Sequence, residues 1–123
     1  MDLVVNASRS TFGIEFLFSA GILRFSGDSF PENSNEFFEP LIRWVENFVS
    51  IPHPRVRVEF KINYFNTSSS KYIFLILSLL KRYHGRGNVL EFVWYETSSD
   101  NEMVETWKEI MEELQLDFTI QQV

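Results

Sequence analysis

The chain has 123 residues, a hydrophobic fraction of 45% and no cysteine, so it suits one domain spanning residues 1–123 and excludes disulfides, zinc–thiolate sites and cysteine nucleophiles. A net charge of −6 disfavours nucleic acid as a partner, because proteins that bind phosphate backbones usually present a basic face. Since we find no signal-like segment and no apolar run long enough for membrane insertion, we expect a cytoplasmic protein.

The first third of the chain predicts a β-hairpin. Residues 13–18 (GIEFLF) and 21–25 (GILRF) flank a short turn that contains glycine, and a further short strand is possible at LVV, residues 3–5. The polar segment 27–34 (GDSFPENS) follows the hairpin, and we predict it as a loop.

A helix follows this loop. Asn33 and Glu36 have capping-box spacing, and an apolar stripe of helical period continues to residue 49. Pro40 lies inside the stripe, so either the helix kinks there or its regular part begins at Pro40.

The remaining elements alternate strand and helix. From Arg55 to Tyr64 apolar and polar residues alternate strictly, which predicts a strand buried on one face, with Tyr64 on the buried side. The further predicted elements are a helix over about 68–83, a strand over 88–96, a helix that begins with the capping pair Ser99 and Glu102, and an edge strand within 117–123.

This order, β-β-α-β-α-β-α-β with a possible extra strand, predicts an α/β fold. Right-handed crossovers between parallel strands give a mixed sheet of 4–6 strands with an antiparallel hairpin at one edge. The one-sided burial of residues 55–64 places the helices mainly on one face of the sheet. This description fits the STAS-like fold of anti-anti-sigma factors, although the order of elements alone also fits several other α/β folds.

The sequence contains no convincing catalytic motif. His53 and His84 stand beside helix-breaking residues, where we expect them to be solvated, and the acidic run EIMEEL (109–114) is typical of a solvated helix face. A hydrolase built on Asp28 and Glu32 is a minor alternative, so we expect no enzymatic activity and no cofactor.

Two polar junctions, GDSFPENS and FNTSSS, each follow a strand and precede a helix. If the two strands are parallel, both junctions lie at the same end of the sheet, where α/β folds place their sites. Asn66 or Thr67 is then the helix cap, and the serines fill the first turn. The alternative is a phosphoacceptor, because free N–H groups and the helix dipole stabilise an anion at a helix N-terminus.

Together these motifs resemble the SiaC family of regulatory phosphoproteins, which contribute to biofilm formation and cyclic-di-GMP signalling. The resemblance covers nearly the whole chain and is strongest at GDSFPENS and YFNTSSSK, with support from WVENF. The family is similar to anti-anti-sigma factors, whose phosphoserine lies in a turn before a helix. Laid on that turn, Asn66 takes the place of the aspartate and Thr67 that of the phosphoserine.

The resemblance implies a non-enzymatic switch. A partner kinase phosphorylates Thr67 within a loop that includes Asn66, Ser68 and Ser69, and a PP2C-type phosphatase removes the phosphate. The unmodified form binds and stimulates a diguanylate cyclase.

We expect the partner-binding surface to include residues from both junctions. Asp28 and Glu32 could hold a partner's cation or a magnesium ion, and these two residues and Asn33 should lie near Thr67. On the second helix, Phe74 and Leu75 are left over from the core-facing stripe, so they contact either a neighbouring helix or the partner. The predicted partner-binding residues are Asp28, Ser29, Glu32, Asn33, Phe74 and Leu75. The alternative function is a small-ligand or anion-binding STAS-like sensor.

Overall fold

The computed structural model describes residues 1–84, 87–96 and 102–123. Within these ranges, six strands form one sheet in the order β1-β2-β3-β4-β5-β6, so neighbours in sequence are neighbours in the sheet. Ser99, predicted to cap the last helix, lies outside the described residues. The elements are β1 (Leu3–Val5), β2 (Gly13–Leu17), β3 (Ile22–Ser29), α1 (Ser34–Val49), β4 (Arg55–Phe65), α2 (Thr67–Tyr83), β5 (Val89–Glu96), α3 (Glu102–Glu113) and β6 (Thr119–Gln122).

The sheet is mixed, as predicted. Strands β1, β2 and β3 pair antiparallel, whereas β3, β4, β5 and β6 pair parallel. Each of the three helices connects one parallel strand to the next in the same direction across the sheet. Right-handed crossovers therefore place all three helices on one face, which confirms the α/β prediction, the extra strand at the N-terminus and the closing edge strand.

Aromatic side chains form much of the core between this face and the helices. Phe25 on β3 stacks on Phe60 on β4 with ring centroids 5.0 Å apart, and Phe60 in turn contacts Trp107 of α3 at 5.2 Å. All three rings are fully or almost fully buried. Burying large rings contributes strongly to the hydrophobic stabilisation of the domain and helps to fix the positions of the helices against the sheet.

A β-bulge ends the regular alternation in β4. The register runs from Gly27 opposite Ile62 directly to Asp28 opposite Tyr64, so that Asn63 is the inserted residue. Gly27 has a φ of +83°, a conformation that favours glycine. The insertion reverses the phase of the strand, so Phe65 is buried and Tyr64 is 43% exposed. The prediction that Tyr64 lies on the buried face is therefore wrong.

The same region corrects the first polar junction. Residues 27–34 were predicted as a loop, but β3 continues to Ser29 and only the segment after it is a loop. The longer strand pairs Ser29 with Phe65 at the end of β4. Asp28 and Ser29 are therefore held by the sheet and not by a loop.

Helix α1 begins at its predicted cap. Asn33 has extended backbone angles, and its Oδ1 accepts a hydrogen bond from the Glu36 N–H at 3.1 Å. Pro40 lies inside the helix, so the alternative in which the helix begins at Pro40 is wrong.

The face of the sheet that carries no helix holds a network of ion pairs. Glu59 accepts hydrogen bonds from Arg24 Nε at 2.8 Å and Arg57 Nε at 2.7 Å, and Arg57 also contacts Glu91 at 3.3 Å. Burial raises the pKa of Glu59, but the two arginines outweigh burial, and the net effect is a lowered pKa. The ionised carboxylate is therefore the form that the fold favours.

Within the described ranges, no helix is long and apolar enough to cross a membrane.

We expect Glu59→Gln to lower the free energy of unfolding by about 1–2 kcal/mol at neutral pH, because both arginines lose a charged acceptor. Since the pKa of Glu59 is lower in the folded state, its contribution is present above its usual value of 4.5 and is lost as the pH falls through the folded-state pKa. Urea unfolding at about pH 7 and pH 3.5 measures this.

The control is Glu15→Gln, since Glu15 is more exposed and contacts Arg24 at 3.6 Å. This variant should change the free energy by less than about 0.5 kcal/mol. An equally large effect of Glu59→Gln at both pH values would contradict the expectation.

Candidate functional site

The end of β3 holds the start of α2 through a buried cluster of hydrogen bonds. The Ser29 carbonyl accepts from the Asn66 N–H at 3.0 Å and from the Ser69 hydroxyl at 3.1 Å. The hydroxyls of Ser29 and Ser69 lie 2.7 Å apart, and both residues are fully buried. A buried hydroxyl that keeps a partner in this way avoids the desolvation penalty of an unsatisfied group. We call Ser29, Asn66 and Ser69 the clasp.

Of the two predicted caps, Asn66 and Thr67, Asn66 is the N-cap of α2. Its Oδ1 accepts from the Ser69 N–H at 2.9 Å and from the Ser68 hydroxyl at 3.3 Å. The Ser68 hydroxyl also lies 2.5 Å from that of Ser34, the first residue of α1. The two polar junctions therefore meet at one end of the sheet, and this prediction is confirmed.

Thr67 differs from the three serines that follow it. It is the first residue of α2 and is exposed. Its carbonyl accepts from the Ser70 hydroxyl at 2.7 Å, but within the described ranges its own hydroxyl has no hydrogen-bond partner. Each of Ser68, Ser69 and Ser70 uses its hydroxyl in a hydrogen bond. Thr67 thus presents the free hydroxyl of this segment.

The predicted partner-binding residues of the first junction lie in different surroundings. Ser29 is fully buried in the clasp, so direct contact with a partner is excluded, and its role is to position α2. Asn33 is exposed and caps α1, and Asn33 and Glu32 both border a surface groove of about 570 Å³ beside β1. Asp28 pairs with Tyr64 in the sheet. That Asp28 and Glu32 lie beside Thr67 stays a prediction.

Phe74 and Leu75 line a shallow groove of about 490 Å³ between α2 and α3. Phe74 is half-buried against the core, whereas Leu75 is 48% exposed. Ile110 of α3 forms part of the opposite wall, and Lys71 lies at the end of the groove towards Thr67. The groove therefore joins an apolar surface to the N-terminal turn of α2.

The sequence analysis missed an exposed aromatic pair at the same end of the sheet. Phe30 and Tyr64 are 44% and 43% exposed, with ring centroids 6.2 Å apart. The Phe30 N–H donates to the Ser10 carbonyl at 2.8 Å, which holds its backbone in place. Gly27 was assigned to the predicted loop, but read as a glycine inside a longer strand it would have been a signal for a bulge that could have revealed this pair.

The prediction that both histidines are solvated is wrong for His53. Its ring stacks on Phe48 with centroids 3.8 Å apart, and the residue is only 9% exposed. Burial lowers the pKa of His53, so its neutral form is favoured. His84 is exposed, as expected.

In the part of the chain that the structure describes, no three side chains of the histidine and carboxylate types come together as a metal site requires.

Comparison with known proteins identifies the family. The SiaC family of regulatory phosphoproteins matches residues 5–123. An uncharacterized protein of Pseudomonas aeruginosa strain UCBPP-PA14 is 34% identical over 120 residues, which cover 98% of this chain and 95% of that protein. The chain therefore belongs to the SiaC family.

Two solved structures are also similar. Apo-SiaC from Pseudomonas aeruginosa has a TM-score of 0.88 and 35% identity, with 98% of each chain covered. A chain in the crystal structure of the diguanylate cyclase SiaD in complex with its activator SiaC, from the same organism, has a TM-score of 0.90 and 34% identity, covering 99% of this chain and 100% of that one. The fold, including the predicted mixed sheet, is thus that of SiaC.

We expect Ser69→Ala to lower the free energy of unfolding by about 1–3 kcal/mol, because it leaves the buried Ser29 hydroxyl without its partner. The double variant Ser29→Ala/Ser69→Ala should cost less than the sum of the two single variants, since it removes both buried hydroxyls together. Denaturant unfolding of the three variants measures the coupling.

Ser70→Ala serves as the control, because Ser70 is less buried and donates only to a carbonyl within its own helical turn. Strict additivity of the two clasp variants would show that the hydroxyls do not act as a pair.

Proposed function

We propose that this chain is a non-enzymatic protein-interaction switch controlled by phosphorylation of Thr67. A kinase transfers a phosphoryl group from ATP to the Thr67 hydroxyl, and a PP2C-type phosphatase removes it. The unmodified form binds and stimulates a diguanylate cyclase. The single observation that carries the proposal is the free, exposed hydroxyl of Thr67 among three serines whose hydroxyls are engaged.

Access supports Thr67 as the phosphoacceptor. Transfer requires the acceptor oxygen to approach the γ-phosphate of ATP, so the hydroxyl must be exposed and free to lose its proton. Ser69 cannot meet this requirement while it is buried in the clasp. Modifying Ser68 would break its contact with Ser34, which joins α2 to α1, and its contact with the cap residue Asn66.

The N-terminus of α2 also suits a phosphate. The N–H groups of Thr67 and Ser68 have no partner within the described ranges, whereas the Ser69 N–H is held by the cap. The first turn carries no acidic residue. Free N–H groups and the helix dipole favour an anion here, so a phosphate of about −1.5 to −2 charges can be added without disrupting the helix.

A phosphate on Thr67 would affect partner binding at the groove between α2 and α3. Lys71 and Phe74 follow Thr67 by four and seven residues and lie on the same side of the helix. Lys71 is exposed and forms no ion pair within the described ranges, so a phosphate on Thr67 can engage it. A partner docked over Phe74 and Leu75 would then have to desolvate the charged phosphate at the rim of the interface.

The partner class rests on the family. The SiaC of Pseudomonas aeruginosa is the activator of the diguanylate cyclase SiaD and forms a complex with it. We extend this role to the present chain, which shares its fold across nearly the full length. The kinase and the PP2C-type phosphatase rest on the resemblance of the phosphosite to that of anti-anti-sigma factors.

We expect the cognate kinase and ATP to modify wild-type protein and Ser68→Ala but to leave Thr67→Ala unmodified. Phosphopeptide mapping identifies the acceptor residue. A phosphate found on Ser68 or Ser70, with Thr67 unmodified, would sink the proposal.

Binding to the cyclase should depend on charge at Thr67. Thr67→Ala should bind as the unmodified wild type does, whereas Thr67→Asp should bind about tenfold more weakly, a difference of about 1.4 kcal/mol. Titration calorimetry compares these variants with enzymatically phosphorylated protein, which carries more charge than aspartate. Equal affinity of the phosphorylated and unmodified proteins would leave the charge mechanism without support.

We expect Leu75→Glu to weaken cyclase binding about tenfold or more, because it places a charge in the apolar groove. Its free energy of unfolding should change by less than about 0.5 kcal/mol, since Leu75 is exposed. Val89→Glu is the matched control, because Val89 is equally exposed, at 48%, and lies at the opposite end of the sheet. Equal weakening by both variants would argue against the groove as the docking surface.

A further inference from the structure

The aromatic pair of Phe30 and Tyr64 lies on the side of the sheet that carries no helix. After the bulge, Ser29 and Phe65 point into the core, so their neighbours Asp28 and Tyr64 point outward. Phe30 contacts Tyr64 with ring planes inclined at 64°, an edge arrangement, and both residues keep a large exposed fraction. We call Asp28, Phe30 and Tyr64 the outer cluster.

Asp28 differs from the other carboxylates of this face. Glu15, Glu59 and Glu91 each contact an arginine of the sheet. Within the described ranges Asp28 forms no ion pair and no hydrogen bond through its side chain, although it is partly buried. A carboxylate held by the sheet beside two exposed rings is thus left without a cation.

We propose that the outer cluster receives an arginine side chain of the protein partner, an inference that rests on the proposed function. A guanidinium group stacks on an aromatic face and donates hydrogen bonds to a carboxylate with the same planar group. Asp28 lies directly opposite Tyr64 in the register, which puts carboxylate and ring side by side. The net charge of −6 further favours a basic partner surface.

The outer cluster is continuous with the phosphorylation site through the backbone. Ser29, which follows Asp28, accepts the hydrogen bond of Asn66, which precedes Thr67. The two sites therefore lie at one end of the sheet but on opposite sides of it. A partner that covers this end contacts an apolar groove on one side and a cation site on the other.

A small cation tests the outer cluster without any protein partner. Argininamide should shift the NMR signals of the Phe30 and Tyr64 rings in a saturable way, whereas citrullinamide, which has the same α-amine but a neutral urea group in place of the guanidinium, should not. Asp28→Asn should abolish the shift, and Asp117→Asn, which removes a charge from an exposed residue before β6, should leave it unchanged. Equal shifts with both compounds, or no shift with either, would overturn the proposal.

The cyclase SiaD of Pseudomonas aeruginosa then tests the role in docking. Tyr64→Leu and Asp28→Asn should each weaken binding about fivefold to tenfold, whereas Tyr64→Phe, which keeps a ring, should bind nearly as well as the wild type. Unchanged affinity in both Tyr64→Leu and Asp28→Asn would remove the outer cluster from the interface. If the wild type binds neither this cyclase nor a diguanylate cyclase of its own organism, the proposed function fails, while the argininamide shifts still decide the cation site.

Discussion

One inserted residue in β4 fixes the geometry of the whole candidate site. Without the bulge, Tyr64 would continue the buried row of Val58, Phe60 and Ile62, and Phe65 would face solvent. With it, Phe65 completes the core and Ser29 points inward to meet α2. The bulge also turns Asp28 and Tyr64 outward. A change of one residue in register therefore places the clasp on the helix side of this sheet end and a carboxylate with an aromatic ring on the other side.

The run of hydroxyls at the start of α2 follows from this arrangement. A helix needs one capping side chain, and Asn66 supplies it. Ser69 is buried against β3, Ser68 connects the two helices, and Ser70 bonds within its own turn. Three hydroxyls are therefore structural, and their engagement is what distinguishes Thr67. Thr67, the proposed phosphoacceptor, therefore lies on a helix end that hydrogen bonds hold both to β3 and to α1.

Periodicity predicted most of the fold because it is a local property of the chain. The alternation in β4 holds as far as Ile62, and the cap at Asn66 is encoded within four residues. The phase reversal at Tyr64 could not be read in this way, because a bulge is defined against the neighbouring strand. Only Gly27, with its positive φ, carried a local sign of it.

The wrong predictions at single residues have the same cause, which is that the deciding contact lies far away in sequence. Ser29 looks like a loop serine until its partner Ser69, 40 residues away, is known. His53 stands between two prolines, which is typical of a solvated loop, yet its ring stacks on Phe48 and its own N–H donates to the Tyr83 hydroxyl. The burial of such residues is decided by contacts that are distant in sequence. Motif resemblance identified the family, but it could not separate the residues that build the site from those that are free to bind.

Distance decides how a phosphate on Thr67 can act. Leu75 follows Thr67 by eight residues, or about 12 Å along the helix axis. This exceeds the Debye length of about 8 Å at physiological ionic strength, so the charge acts weakly on Leu75 through solvent. A strong effect therefore requires the partner to cover the N-terminal turn itself, where the phosphate must lose water. The clasp holds this turn against β3, so under the proposed mechanism the free energy cost of desolvating the phosphate would fall on the complex, while the helix dipole would stabilise the free phosphorylated protein.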